Sequence, residues 1–197
     1  MDQNNNNNSK LTNDYINGLP LKYFEGDIQI VRTKKELENA CNILVEESVV
    51  GFDTETRPSF KKGQFFLPSL IQLAGVKSVF IFQLKKCGFQ KKLIKLLSEP
   101  SLIKCGVAVK QDINELQKMA VFEPRSFIDL GEVAQERDLK NYGLRNLAAL
   151  LLKFRISKSS RTTNWSVDNL SIKQMEYAAT DAWVSREIYF KLFSYEE

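Results

Sequence analysis

Apolar residues recur along this chain with two different spacings, and the order of these patterns predicts an α/β domain. Between Leu37 and Val45 apolar residues return every three or four positions, which predicts an amphipathic helix. Thr33 and Glu36 precede this helix with the spacing of a capping box. Four short apolar stretches typical of strands come next, at residues 49–54, 69–74, 78–84 and 102–109.

The links between these stretches indicate the type of sheet. Gly75-Val76-Lys77 is short enough to join 69–74 and 78–84 as an antiparallel hairpin. Helical patterns at 90–97 and 112–119 separate the later strands, as is typical of parallel strands. We therefore expect a mixed sheet of five or six strands, an antiparallel meander plus parallel strands, flanked by helices. The other predicted elements are strands at 28–31 and 127–130, and helices at 144–152 and 171–193, the last with a capping box from Ser171 to Gln174.

The first 21 residues differ in composition from the rest of the chain. They contain an unbroken asparagine run from Asn4 to Asn8, followed by Asn13, Gly18 and Pro20. Such polar composition is typical of flexible segments. We predict a flexible asparagine-rich leader over residues 1–21 and a single domain over residues 22–197, because no internal repeat or long linker follows.

Overall composition places the chain among globular proteins of the cell interior. It is 43% hydrophobic and 26% charged, and no apolar run approaches the ~20 residues of a membrane helix. The N-terminus has no basic start or apolar stretch of a secretory signal. Three widely spaced cysteines, Cys41, Cys87 and Cys105, read as reduced thiols. We expect a cytoplasmic protein, nuclear in a eukaryote, with no membrane partner.

Charge and residue counts narrow the possible chemistry. The net charge of +4 fits a polyanionic partner. The chain has no histidine, which excludes imidazole as a base, nucleophile or metal ligand. Any metal must then be held by oxygen ligands, which favours Mg²⁺, Mn²⁺ or Ca²⁺. Glycine-rich phosphate loops and the nucleophile motif of hydrolases are also missing, so the candidate chemistry rests on carboxylates.

Acidic residues follow two of the predicted strands. Asp53 and Glu55 are two apart after Val49-Val50, so on a strand both point to one face. The alternative is an ordinary strand end with one solvated acid and one capping aspartate. Asp112 stands near the start of the helix after the strand at 102–109. The alternative there is strong too, because aspartate is favoured at helix N-termini.

A third acid lies in the last predicted helix. Tyr177 and Asp181 are four apart and therefore share one helix face. Alanines at 178, 179 and 182 would let this helix approach the sheet closely. The alternative is a solvated helix face together with Glu176 and Lys173.

Together these segments would carry four carboxylates to the ends of core elements. Clustered carboxylates repel one another strongly unless divalent cations bridge them. In a two-metal site one ion activates a water and both stabilise the phosphate, the ions lying ~3.5–4 Å apart. The Tyr177 hydroxyl beside Asp181 offers an oxygen that orients the water without histidine.

The ordered set of motifs resembles a known family. Asp53-Thr54-Glu55, Asp112 and Tyr177-Ala178-Ala179-Thr180-Asp181 resemble the three exonuclease motifs of the DEDDy 3′–5′ exonucleases, which have a ribonuclease H-like fold. The Werner syndrome exonuclease-like group is the most similar, with ribonuclease D next. The resemblance runs from about Val31 to Phe193, with supporting stretches at 68–74, 104–107 and 163–166.

This resemblance implies roles for particular residues. Asp53, Glu55, Asp112 and Asp181 would hold two Mg²⁺ or Mn²⁺ ions. Tyr177 would position the water that attacks the terminal phosphodiester, so that nucleoside 5′-monophosphates are released. The Werner-like proteins usually have an aromatic residue after the glutamate of the first motif, whereas Thr56-Arg57 stand here.

The substrate side is predicted from residues near these motifs. A nucleic acid with a 3′ end is the expected partner; the resemblance and the lack of a following RNA-binding domain favour DNA and a role in DNA repair. Trimming of structured RNA is the alternative, and a catalytically inactive nucleic-acid-binding or partner-docking module is another. For the basic residues a solvated surface is the alternative, and Phe65-Phe66 would either stack on bases or lie in the core. The candidate substrate-binding residues are Thr54, Thr56, Arg57, Lys61, Lys62, Arg161, Asn164 and Trp165.

Overall fold

A six-stranded mixed sheet forms the centre of the structure, a computed structural model that describes residues 10–194. In space the strands follow the order β1-β4-β3-β2-β5-β6. The segment β2–β3–β4 is an antiparallel meander, while β1 is parallel to β4, β5 to β2 and β6 to β5. The predicted α/β class and the mixed sheet are confirmed. The strands are β1 Asp27–Val31, β2 Val49–Thr56, β3 Pro68–Ala74, β4 Ser78–Gln83, β5 Ile103–Gly106 and β6 Phe127–Asp129.

Helices pack on both faces of this sheet. They are α1 Asn13–Gly18, α2 Lys34–Leu44, α3 Leu84–Cys87, α4 Lys91–Leu97, α5 Val109–Gln117, α6 Leu130–Glu136, α7 Leu144–Leu147 and α8 Ile172–Phe193. A π-helical turn, Ala148–Leu152, extends α7. Buried side chains of α2, α4 and α5 pack on the face that carries Phe52 and Phe82. Those of α6, α7 and α8 pack on the opposite face, which carries Leu70 and Ile81.

Local signals account for several helix starts. The capping boxes predicted at Thr33 and Ser171 are both present. The strand predicted over 102–109 ends earlier, at Gly106, because Ala108 adopts a left-handed conformation with φ 59° and α5 begins at the next residue. Asp129 accepts a hydrogen bond from the backbone N–H of Val109 and also caps α6, a helix that the apolar pattern did not predict.

The longest helix, α8, lies directly against the backbone of β2. A Cβ atom built on Gly51 would stand only 1.8 Å from the backbone oxygen of Ala182. Ala178, Ala179 and Ala182 are fully buried at this contact. The absence of side-chain volume at Gly51 and the small alanines therefore set the height of α8 above the sheet.

The N-terminal segment is more ordered than its composition indicates. Asn13–Gly18, which falls within the predicted flexible leader, is helical, with Ile16 buried and Thr12 as its cap. The asparagine run itself lies in residues 1–9, outside the described residues. The division into a leader and one domain stays a prediction, and within the leader residues 13–18 form the helix α1.

After α1 the chain crosses the outer side of α8 as a strap, residues 19–24. Arg155 anchors it, donating from its side chain to Leu19 and from its backbone to Pro20. At the other end, the backbone N–H of Phe24 donates to the Thr180 hydroxyl over 3.0 Å. The strap thus reaches the residue next to Asp181.

Two expectations from composition can be compared with the structure. Cys41, Cys87 and Cys105 are free and buried, as predicted. Within residues 10–194, no helix has the length and apolar character needed to cross a membrane.

We expect Gly51→Ala to destabilise the protein by about 1–3 kcal/mol, because the new methyl group forces α8 away from β2. Gly18→Ala is the matched control, since nothing lies within 4 Å of a Cβ at that position. Urea unfolding followed by far-UV circular dichroism measures both. Equal stability of the two variants would contradict the close contact at Gly51.

Candidate functional site

The end of β2 brings two acidic side chains to the face of the sheet that α8 covers. Asp53 and Glu55 are two residues apart on the strand, so they share this face. Asp53 is half-buried and Glu55 is 8% exposed, so neither is an ordinary solvated acid. The pairing with β3 becomes irregular between Glu55 and Thr56. The extra residue is Ser69 on β3, and Thr56, as the next residue after Glu55, points to the face opposite the two acids.

The helix α8 supplies a tyrosine and a third acid. Tyr177 and Asp181 lie one turn apart and are 8% and 7% exposed. The Tyr177 hydroxyl lies close enough to the Asp181 carboxylate to favour its ionised form and so to lower its pKa. These side chains therefore face the sheet, and the alternative of a solvated helix face is wrong.

Three carboxylates meet between β2 and α8. One oxygen each of Asp53, Glu55 and Asp181 lies within 4.8 Å of the other two. The contact at Gly51 produces this proximity, because it holds α8 close to the strand two residues before Asp53. We call Asp53, Glu55 and Asp181 the carboxylate group.

Asp112 approaches the carboxylate group from the other helical layer. It lies in the first turn of α5, and its Oδ1 accepts a 2.6 Å hydrogen bond from the Thr54 hydroxyl. Thr54 is on the face of β2 opposite to Asp53 and Glu55. Asp112 is nevertheless close enough for its charge to raise the pKa of both. The structure thus brings three of the four predicted carboxylates together and holds the fourth beside them.

Burial and mutual repulsion make these acids hard to ionise. Burial, followed by the charges of Asp181 and Asp112, raises the pKa of Asp53 well above its usual value. Burial and the charge of Asp53 raise the pKa of Glu55 to about 10. Burial raises the pKa of Asp181 to about 7 and that of Asp112 to about 6. An additional positive charge is therefore needed if all four are to be ionised near neutral pH.

A divalent cation fits this donor set. The donors are hard oxygens that carry excess negative charge, and the chain has no histidine to offer instead. Hard oxygen ligands in octahedral geometry are what Mg²⁺ and Mn²⁺ prefer. Asp53, Glu55 and Asp181 are the residues that would hold such an ion, with Asp112 next to them.

Two predicted substrate-binding residues serve other residues of the protein. The Thr54 hydroxyl is engaged by Asp112. Trp165 is 1% exposed and packs against the ring of Tyr177, with 5.9 Å between ring centroids. This differs from the prediction that Trp165 contacts substrate, because the core already encloses the indole. The contact between the two rings restricts the position of the Tyr177 side chain.

The other candidate substrate residues lie on two loops beside the site. Thr56 is half-buried at the end of β2, and Arg57 follows it with its guanidinium 4.8 Å from the centre of the Phe66 ring. Asn164 is exposed, and its side chain accepts from the backbone of Ser166. Phe65 is 91% exposed, which excludes the core alternative for this residue. Lys61, Lys62 and Arg161 are also exposed.

Sequence reasoning gave no role to two residues that lie at the site. Gly51 precedes the acids by two positions and admits α8. Gln72 stands opposite Asp53 on β3 and is fully buried. A polar residue alone in the apolar stretch from Leu70 to Ala74 was the available signal for Gln72. For Gly51, a glycine inside an otherwise apolar strand indicates the close approach of another backbone.

Comparison with known proteins agrees with this geometry. Residues 28–194 match the family model described as 3′–5′ exonuclease. The chain belongs to this family. The matched range contains the positions of all five residues of the predicted catalytic set, and the acidic composition of the site accords with the divalent metal that the family implies.

Individual relatives extend this finding. The chain is 34% identical over 155 residues to the bifunctional 3′–5′ exonuclease/ATP-dependent helicase WRN of Mus musculus, covering 76% of this chain and 11% of the relative. It is 28% identical over 164 residues to ribonuclease D of Haemophilus influenzae, covering 82% of this chain and 40% of the relative. The chain therefore spans well under half the length of either protein.

A solved structure shows the same fold. The Nibbler EXO domain of Aedes aegypti superimposes with a TM-score of 0.79 at 23% identity, covering 88% of this chain and 91% of that one. The fold is ribonuclease H-like, as the resemblance of the motifs implied.

The stability of the metal-free protein should fall as pH rises. A carboxyl whose pKa is raised by folding binds its proton more tightly in the folded state, so it opposes folding above its ordinary pKa. For Glu55 this effect grows from about pH 4 to about pH 10. We expect the free energy of unfolding in EDTA to decline between pH 5 and pH 9. The decline should be less steep in Glu55→Gln. We also expect Mn²⁺ to stabilise the wild type more at pH 8 than at pH 5. Urea titrations across this pH range measure the free energy of unfolding. An identical dependence on pH in the wild type and in Glu55→Gln would contradict the prediction.

Proposed function

We propose that this chain is a divalent-metal-dependent 3′–5′ exonuclease that removes nucleoside 5′-monophosphates one at a time, with DNA as the favoured substrate. The observation that carries the proposal is the carboxylate group, three acids within 4.8 Å, beside the Tyr177 hydroxyl. Carboxylates so close together gain nothing structurally from their proximity, because they repel one another. Their arrangement is explained by a cation that they share.

The proposed cofactor is a pair of Mg²⁺ or Mn²⁺ ions. Asp53, Glu55 and Asp181 would hold these ions. Asp112 would become a further ligand by rotation of its side chain on α5. When bound, such ions supply Lewis-acid activation of water and stabilise the charge that develops on the phosphate. The protein itself holds these acids in place at the end of β2, because α8 packs against this strand.

Tyr177 has the role of a hydrogen-bonding group in this proposal. Burial and the nearby acids raise the pKa of its hydroxyl far above the usual value, so the group stays protonated. A neutral hydroxyl donates to Asp181 and can accept from a water molecule at the same time. Tyr177 would thus orient the attacking water, while Trp165 behind it holds the ring in place.

Two loops would hold the substrate strand next to these residues. The first, residues 57–67, leaves β2 directly after the acids and carries Arg57, Lys61 and Lys62 on its surface. The second carries Arg161 and Asn164 and is tied to α8, because Gln174 donates to the Asn164 carbonyl. Basic side chains on both would contact backbone phosphates without reading sequence.

The choice between DNA and RNA is the finer part of the proposal. DNA is favoured because the exonuclease–helicase relative is the more similar of the two compared, at 34% identity. The likeness to ribonuclease D, at 28% identity, makes trimming of RNA 3′ ends the second candidate. A catalytically inactive binding module is the third, and it would not require the carboxylate group.

End-labelled DNA and RNA oligonucleotides of equal sequence test the activity directly. With Mg²⁺ or Mn²⁺ we expect a ladder that shortens from the 3′ end, faster on DNA, and no ladder with EDTA. Asp53→Ala should lower the rate about 10³-fold or more, because it removes a ligand from the centre of the site. Asp14→Ala, which removes an exposed acid of α1, is the matched control. No shortening of either polymer with either metal would contradict the exonuclease.

Tyr177→Phe separates water orientation from metal binding. We expect kcat to fall about 10²-fold, in the lower range for a positioned group that acts on a nucleophile, with Mn²⁺ affinity kept. Single-turnover degradation gives the rate, and isothermal titration calorimetry gives the affinity. A variant that loses Mn²⁺ binding would show that Tyr177 has been assigned the wrong role.

A further inference from the structure

Gln72 is a buried polar residue placed next to the carboxylate group. In the antiparallel ladder of β2 and β3 it stands directly opposite Asp53. Residues opposite one another in such a ladder point to the same face, with their Cβ atoms about 4.5–5.5 Å apart. The side chain of Gln72 therefore lies on the α8 face of the sheet, within reach of the Asp53 carboxylate.

The amide of Gln72 has no hydrogen-bond partner among the described residues. Both Nε2 and Oε1 are enclosed, and neither forms a hydrogen bond. The residue as a whole is 0% exposed, so solvent does not satisfy it either. Burying both ends of an amide without partners carries a free-energy penalty, and folded proteins seldom tolerate it without a purpose.

The surroundings of Gln72 offer few other partners. On its own strand the residues sharing its face are Leu70 and Ala74, and its neighbour on β4 is Ile81. The helix above contributes alanines and Tyr177 to the same cluster, which also contains Trp165. Across the ladder, the polar side chains on this face of β2 are Asp53 and, diagonally, Glu55.

We propose that Gln72 is a positioning residue for the metal site: when Asp53 holds a cation, Nε2 of Gln72 turns to donate to one oxygen of Asp53 and leaves the other oxygen to the cation. This inference rests on the proposed function. An amide suits the task because it donates a hydrogen bond without adding charge to a site that already holds several acids. Groups that orient metal ligands in this way typically change metal affinity 10–100-fold when they are removed.

Gln72→Met tests the proposal, because methionine keeps the length of the side chain and removes both polar atoms. We expect this variant to be as stable as the wild type or more so in EDTA, since it loses an unpaired buried amide. Its affinity for Mn²⁺, measured by isothermal titration calorimetry without nucleic acid, should fall about 10–100-fold.

Gln83→Met is the matched control. Gln83 is also a buried strand glutamine, at 3% exposure, but its Oε1 accepts a 2.8 Å hydrogen bond from Arg32. We expect this control to lose stability and to keep its Mn²⁺ affinity. The opposite pattern in Gln72→Met, stability lost and affinity kept, would overturn the proposal and leave Gln72 a core residue.

If Gln72→Met does not fold, a measurement on the wild-type protein tests the proposal instead. The side-chain NH₂ resonances of Gln72, assigned by triple-resonance NMR, should shift on addition of Mg²⁺, whereas those of Gln83 should not. Unshifted Gln72 resonances in a protein that binds Mg²⁺ would overturn this inference alone. A wild-type protein that binds neither Mg²⁺ nor Mn²⁺ would overturn the proposed function together with it.

Discussion

Repulsion among buried carboxylates is the constraint on which the rest of this structure depends. Asp53, Glu55 and Asp181 are held within 4.8 Å of one another, with Asp53 half-buried and the other two buried. If the chain were free to relax, α8 would move outward and the charges would separate. It is prevented from doing so by apolar packing along the helix, which buries Val184, Ile188 and Leu192 beyond the site. Hydrophobic burial along the length of α8 therefore opposes the electrostatic cost at one of its turns.

The sheet acts as a spacer between two sources of acid. On one face α8 supplies Asp181, and on the other α5 supplies Asp112, which accepts a hydrogen bond from the Thr54 hydroxyl of β2. The strand β2 presents alternate side chains to the two layers, so a single strand addresses both helices. The helical layers of α8 and α5 must therefore stay at a fixed separation if Asp181 and Asp112 are both to remain close to the acids of β2. Phe52, Ile71 and Leu73 of β2 and β3 are buried in the core between the sheet and the layer that contains α5.

Much of the fold and the acids themselves could be predicted because the responsible signals are local. Capping boxes at Thr33 and Ser171 need four consecutive residues, and the facing of Asp53 and Glu55 needs only the period of a strand. Tyr177 and Asp181 likewise follow from the period of a helix.

What could not be predicted depends on contacts between distant segments. The hydrogen bond from Thr54 to Asp112 joins residues 58 positions apart, and the burial of Trp165 results from the position of α8. The helix α1 contains the buried Ile16, which the asparagine-rich composition of this segment did not indicate.

The strap that follows α1, residues 19–24, bears on where the domain begins. A polypeptide trimmed to begin at β1 would keep every acid and still lose the clasp between Phe24 and Thr180, one residue from Asp181. This contact with α8 is therefore made by residues that precede the first strand.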